Sequence, residues 1–199
     1  MLENLYSEGF IPVNGVTYAD GLLSYLRDKS NYAPVIRAKT QTGESTNHQG
    51  IRLLPQNHLE ATLGGYPKDI SDELRRFKLG SHVVYCEKGF TMLPHRDFFE
   101  LDDPNFPKPA VGTLLSYINP PSGQVIGRNL VYGKVTEFVP KEENPLEWGD
   151  PRLEKLGEIK PITGNGVLVD ALNPDWWHGV TPLLSEGPVI VLAVTVYGC

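Results

Sequence analysis

The chain is poor in cysteine, carries no excess of positive charge and contains no long apolar run. Two of its 199 residues are cysteines, Cys86 inside an apolar stretch and Cys199 at the last position. A disulfide framework is not expected, and a reducing compartment is. The formal net charge is −6 and the isoelectric point near 5.4, so the whole-chain basic footprint of a duplex-binding protein is missing and a nucleic-acid partner is not expected. Arg37, Lys39, Arg52, Arg75, Arg76 and Lys78 in the first half read as scattered, solvated surface charges. The longest apolar stretch, 189–194, falls far short of the roughly 20 residues that a membrane helix needs. Met1-Leu2-Glu3-Asn4 lacks the basic start and apolar run of a secretion signal. These absences together predict a cytoplasmic protein with no membrane association. No Gly-x-x-x-x-Gly-Lys loop, nucleophile elbow or His-Glu-x-x-His helix occurs, which removes support for phosphate-loop, esterase and zincin chemistry.

What the chain does have is 17 prolines and 20 glycines, a supply of turns that suits short strands better than long helices. Its length predicts one domain over 1–199, with 1–79 as helical and loop support and 80–199 as the core. Asp20 to Asp28 reads as an amphipathic helix with Leu22, Leu23 and Leu26 on one side, and Pro67 to Lys78 as a second helix stopped by Gly80. Lys39 to Gly50 reads as a loop. From Gly80 onward strand-like runs follow one another: His82 to Glu87, Val111 to Asn119, Asn129 to Phe138, Gly166 to Asp170 and Val189 to Tyr197. Pro- and Gly-rich turns separate them, with longer loops at Pro104 to Pro109 and Pro140 to Pro151. Short strands without alternating helices predict an antiparallel sandwich or barrel.

One segment carries metal chemistry. In Leu93-Pro94-His95-Arg96-Asp97, an extended backbone points residues two apart the same way, so His95 and Asp97 can present an imidazole and a carboxylate to one point. A third ligand has to come from elsewhere, and His178, just before the last long apolar run, supplies it. Two histidines and a carboxylate on one face of an octahedral metal leave three positions open, the ligand set of non-haem ferrous oxygenases. A zinc hydrolase uses similar ligands in a tetrahedral arrangement. His48, His58 and His82 lack partners at ligand spacing, and Arg96 should point away from His95. Trp176 and Trp177, beside His178, pack or wall the site.

The stretch from Tyr85 to Tyr197 resembles the catalytic core of the 2-oxoglutarate and Fe(II)-dependent oxygenases, in the prolyl-hydroxylase-like branch. The resemblance rests on Tyr85-Cys86-Glu87-Lys88-Gly89 leading into His95-Arg96-Asp97, on Thr113-Leu114-Leu115-Ser116-Tyr117-Ile118-Asn119, and on Gly164-Asn165-Gly166-Val167-Leu168-Val169 followed by His178-Gly179-Val180. It implies a mainly β fold, a double-stranded β-helix or jelly roll, with flanking N-terminal helices. It further implies His95, Asp97 and His178 as iron ligands, 2-oxoglutarate and dioxygen as cosubstrates with ascorbate in support, and hydroxylation of an unactivated C–H bond. Tyr85, Tyr117 and Thr113 fall where the family places cosubstrate contacts, although both tyrosines would serve equally as core residues with satisfied hydroxyls.

The chain departs from the family after the distal histidine. The stretch Ser185-Glu186-Gly187-Pro188-Val189-Ile190 has no basic residue where most relatives anchor the far carboxylate of 2-oxoglutarate. A buried dicarboxylate needs a cation, and Arg128 is the candidate replacement, with Lys134 second; an arginine grips a carboxylate with two parallel hydrogen bonds. The expected substrate is a peptidyl side chain or a free amino acid, with the 98–109 loop at the entrance. Two other readings stay open: an iron oxygenase or oxidase that does not consume 2-oxoglutarate, and a catalytically silent cupin-like ligand-binding module.

Overall fold

The computed structural model describes residues 2–32, 48–96, 110–119 and 125–198. In chain order its elements are α1 (Leu2–Glu8), β1 (Phe10–Val13), α2 (Asp20–Arg27), β2 (His48–Leu53), α3 (Gln56–Gly65), α4 (Lys68–Leu74), β3 (Lys78–Cys86), β4 (Met92–His95), β5 (Ala110–Ile118), β6 (Leu130–Val135), β7 (Leu153–Ile159), β8 (Gly166–Asp170), β9 (Trp176–Val180) and β10 (Val189–Tyr197). All the strand pairs are antiparallel. Six strands form a larger sheet in the order β1-β8-β5-β10-β3-β2, and four form a smaller one in the order β4-β9-β6-β7. This is the antiparallel two-sheet architecture expected from the strand pattern, and the jelly roll that the family resemblance implies.

The N-terminal region does more than flank the sheets. Its β1 pairs with β8, and β2 pairs with β3, so both edges of the larger sheet come from residues expected to be helix and loop. The part of the 39–50 stretch before residue 48 lies outside the described residues, as do 98–109 and the 120–124 turn. Among the described residues no helix is long and apolar enough to cross a membrane.

The larger sheet is covered on both faces, which explains why β10 is apolar at nearly every position. Its outward side chains pack under the helices. Leu22 and Leu26 of α2, one helical turn apart, cover Val83, Tyr85, Ile118, Ile190 and Leu192. Leu59, Leu63, Ile70 and Leu74 of α3 and α4 cover Leu114, Leu168, Val194 and Val196. Each such leucine, fully buried, contributes about 1.5–3 kcal/mol. The inward side chains Cys86, Tyr117, Val167, Val169, Val189 and Val191 meet Leu130, Trp176 and Val180 of the smaller sheet. The smaller sheet's outer strand β7 is mostly exposed, and the enclosed interior lies between the two sheets.

One close approach depends on glycine. Gly9 turns with φ 72° between α1 and β1, and a Cβ there would overlap the Trp176 ring. Its left-handed backbone costs glycine little and lets β1 lie against β9's first residue, which brings Phe10 into the interior.

Candidate functional site

His95 and His178 stand directly opposite one another in the pairing of β4 with β9. Their rings share the inner face, with centroids 4.4 Å apart and planes tilted by 58°; they are 2% and 8% exposed. The two imidazoles, 83 positions apart in sequence numbers 95 and 178, are thus brought together by one cross-strand register. Pro94 is accommodated because β4 is the edge of its sheet, where no ladder donor is needed on the open side.

His95 Nδ1 lies 2.7 Å from the Leu93 carbonyl oxygen. A carbonyl can only accept, so Nδ1 carries the proton and donates it, and Nε2 becomes the nitrogen with the lone pair. Such a bond is the usual way in which a metal-binding histidine is held in one tautomer and orientation.

Asn144, which the sequence did not single out, holds the next residue. Its Oδ1 accepts from the Arg96 backbone N–H at 3.0 Å, and its Nδ2 donates to the Arg96 carbonyl at 3.1 Å. The Arg96 guanidinium donates to the Val139 carbonyl at 2.6 Å and the Pro174 carbonyl at 3.3 Å. The His-x-Asp segment is therefore tied to the loops before β7 and β9. Asp97 itself lies outside the described residues. Among those residues no group of three or more histidine, cysteine or carboxylate side chains gathers around a point.

Aromatic rings wall the histidine pair. Phe10 stacks on Tyr132 at 4.3 Å and meets His178 edge-on at 6.1 Å and Trp176 at 5.9 Å. Trp176 is among the inward residues; Trp177 alternates to the other face and meets Trp148 at 6.4 Å. Beside them opens a cleft of about 580 Å³, whose lining includes Tyr6, Arg96, Lys134, Phe138, Asp175 and Trp176. The Lys134 ammonium sits 4.8 Å over the Trp176 ring, at this mouth and on a different side chain from the interior cation described next.

That cation is Arg128, four residues before Tyr132 and only 4% exposed. Its guanidinium carbon is 5.0 Å from the Phe90 ring centroid and 6.0 Å from that of Tyr117, and the Cys86 thiol lies against it. No carboxylate among the described residues pairs with it. Its Nε and the hydroxyl of the fully buried Tyr117 are both without a hydrogen-bond partner. Burial pushes the Tyr117 phenol up to about 12, with Arg128 pulling the other way, and it pushes the Cys86 thiol up against the same opposing influence. Arg128 also has φ 61°, a conformation that costs a non-glycine residue about 1–3 kcal/mol and persists where the surroundings impose it.

Tyr85 and Thr113 lie apart from the Arg128–Tyr117 pair. Tyr85 points to the outer face, packed with α2 and 5.1 Å from the Tyr32 ring. The period of two along β3 turns Val84 and Cys86 inward and Tyr85 outward, so Cys86 faces the space between the sheets and Tyr85 is a core residue under α2. Thr113 shares the inward face of Tyr117 but lies four residues along β5, about 13 Å at strand rise, at the end away from Arg128. The structure brings together His95 with His178, and Arg128 with Tyr117.

No family model matches the chain, and no curated protein sequence matches it. Solved structures do. A prolyl-4-hydroxylase from Pseudomonas putida superposes with a TM-score of 0.65 at 15% identity, over 100% of this chain and 97% of that one. A prolyl hydroxylase from Trichoplax adhaerens, in complex with a hypoxia inducible factor peptide fragment, gives 0.59 at 15% identity, over 98% and 86%. HygX from Streptomyces hygroscopicus, with nickel, 2-oxoglutarate and hygromycin B bound, gives 0.55 at 13% identity, over 98% and 86%. At these identities the likeness establishes a shared fold across the whole chain.

Proposed function

We propose that the chain is an Fe(II)- and 2-oxoglutarate-dependent dioxygenase that hydroxylates an unactivated C–H bond. The observation that carries this reading is a buried arginine, with no acidic partner among the described residues, in the same sandwich interior as two facing imidazoles. An isolated buried cation is costly, and a carboxylate arriving from outside the protein offsets that cost. A dicarboxylate anchored at one end by Arg128 and the Tyr117 hydroxyl has its other end free to reach the histidine pair.

In this reading His95, Asp97 and His178 hold the metal, with His95 oriented through its Leu93 bond and the His95–Asp97 segment held by Asn144. Bound iron would supply dioxygen activation with oxidative decarboxylation of 2-oxoglutarate to succinate. Arg128 supplies a planar fork that grips the far carboxylate, and the neutral Tyr117 phenol donates to it. Phe10, Tyr132 and Trp176 exclude water from His178. Lys134 remains at the mouth.

The substrate enters by the cleft between Arg96 and Trp176, which lie one and two residues from His95 and His178 in sequence. Arg96 and Lys134 on its walls are matched by Glu137 and Asp175, so the cleft suits a weakly charged group, a peptidyl side chain or an amino acid, better than a polyanion. The test is succinate release from 2-oxoglutarate across panels of peptides, amino acids and nucleosides, with iron and ascorbate supplied. Stimulation by a peptide or amino acid supports the proposal. Substrate-stimulated oxygen consumption with no succinate contradicts it.

A further inference from the structure

Among the described residues, no acidic side chain fixes the arginine that would grip the far carboxylate, and its guanidinium is held by packing. The Phe90 and Tyr117 rings flank it at 5.0 and 6.0 Å, and Cys86, in the same buried cluster as both rings, lies against it. That residue ends β3 opposite Val189 and is fully buried. Its thiol donates weakly to the Val84 carbonyl at 4.0 Å, which leaves the sulfur lone pairs for Arg128. Cys86 is the smallest of the three neighbours, and the one whose volume can change by an atom without removing a ring.

We infer that Cys86 determines which length of 2-oxo diacid the site accepts, by setting how far the Arg128 guanidinium lies from His95 and His178. The inference rests on the dioxygenase reading above. A smaller side chain lets the guanidinium settle deeper and lengthens the site; a bulkier one advances it and shortens the site. Interiors are packed too closely for the arginine to ignore either change. Both effects act on the spacing between the two ends of the diacid and leave the metal ligands untouched.

The test uses the protein loaded with Ni(II) in place of iron, so that binding is measured without turnover. Dissociation constants for oxaloacetate, 2-oxoglutarate and 2-oxoadipate (four, five and six carbons) are read by calorimetry for the parent protein and three variants. Cys86→Ala should shift the preference toward 2-oxoadipate by about tenfold, the discrimination that one methylene commands. Cys86→Val should shift it the opposite way, toward oxaloacetate. Cys86→Ser, smaller than cysteine but still able to accept from the guanidinium, should shift it in the same direction as Ala and no further. Opposite shifts from two variants are not what general loosening of the fold produces. If the Ala and Val variants keep the parent ratios, or weaken all three diacids equally, Cys86 is a packing residue and the inference is overturned while the dioxygenase reading stands. If the parent protein binds none of the three, both fall.

Discussion

Arg128 and Tyr117 face each other in the sandwich interior, 6.0 Å from guanidinium carbon to ring centroid, each with a buried polar atom that has no partner. They come from segments joined by residues 120–124, and both side chains can donate to an incoming carboxylate. Two such costs in one place are what the proposed diacid would offset.

Arg128→Gly is expected to separate these interests. Glycine adopts φ 61° without strain and removes the unpaired cation, so the ligand-free variant should unfold at a temperature several degrees higher, since about 1–3 kcal/mol of strain is relieved and each kcal/mol moves the midpoint about 2–4 °C in a chain of this size. The same variant should lose 2-oxoglutarate affinity by about 2–5 kcal/mol. Thermal unfolding beside calorimetric titration checks both halves, and a destabilised variant with intact diacid binding would contradict the assignment.

Tyr117 makes a prediction about alkaline pH. Its folded value, about 12, lies above the ordinary tyrosine value of 10.0. Folding therefore favours the protonated phenol, and that contribution is fully present below pH 10 and is lost as the pH rises from 10 toward 12. Between those limits the parent protein should lose stability more steeply than Tyr117→Phe, by up to about 1.4 kcal/mol per pH unit. Urea unfolding at several pH values gives the two slopes; equal slopes would mean that the phenol is not held neutral by the fold.

Asn144→Ala removes both bonds that fix the Arg96 backbone. The expected destabilisation is about 1–3 kcal/mol for two bonds, with Fe(II) affinity falling because the segment between His95 and Asp97 is no longer held. Asn144→Asp keeps the acceptor and loses the donor, so it should fall between the parent and Ala in both measurements. Metal affinity unchanged in the Ala variant would show that the clamp serves the loop alone.

Tyr85→Phe provides the contrast to Tyr117. With its ring under α2 on the outer face, its hydroxyl should be dispensable for 2-oxoglutarate binding, while Tyr117→Phe should weaken it. Titration of the two variants side by side checks this, and a larger loss in the Tyr85 variant would place the cosubstrate on the wrong face of β3.

The neighbours Tyr85 and Cys86 show where sequence reading is sharp and where it slips. The strand itself was legible, because Val83, Val84 and Tyr85 are strong strand formers, but a run apolar on both faces carries no alternation to say which side chain points inward. The period of two then turns an error of one position into an error of face. β10 was legible for the same apolar richness. β7 escaped because Leu-Glu-Lys-Leu-Gly-Glu-Ile is an exposed edge strand with little buried pattern. α3 escaped because it ends in Gly-Gly and divides its apolar residues weakly between faces. At the site, His95 and His178 could be paired in thought only by assuming that their segments meet, and the β4–β9 register supplies that meeting. The left-handed backbone of Arg128 and the clamp from Asn144 belong to tertiary structure, with no local signal in the residues around them.

The most direct test is an anaerobic titration of the iron-free protein with Fe(II) and then 2-oxoglutarate, followed by visible absorption. The account predicts a charge-transfer band that grows with 2-oxoglutarate, is abolished in His178→Ala through loss of iron binding, and needs far more 2-oxoglutarate to appear in Arg128→Ala. Tight iron binding that survives His178→Ala, or a band whose 2-oxoglutarate dependence is the same with and without Arg128, would contradict it.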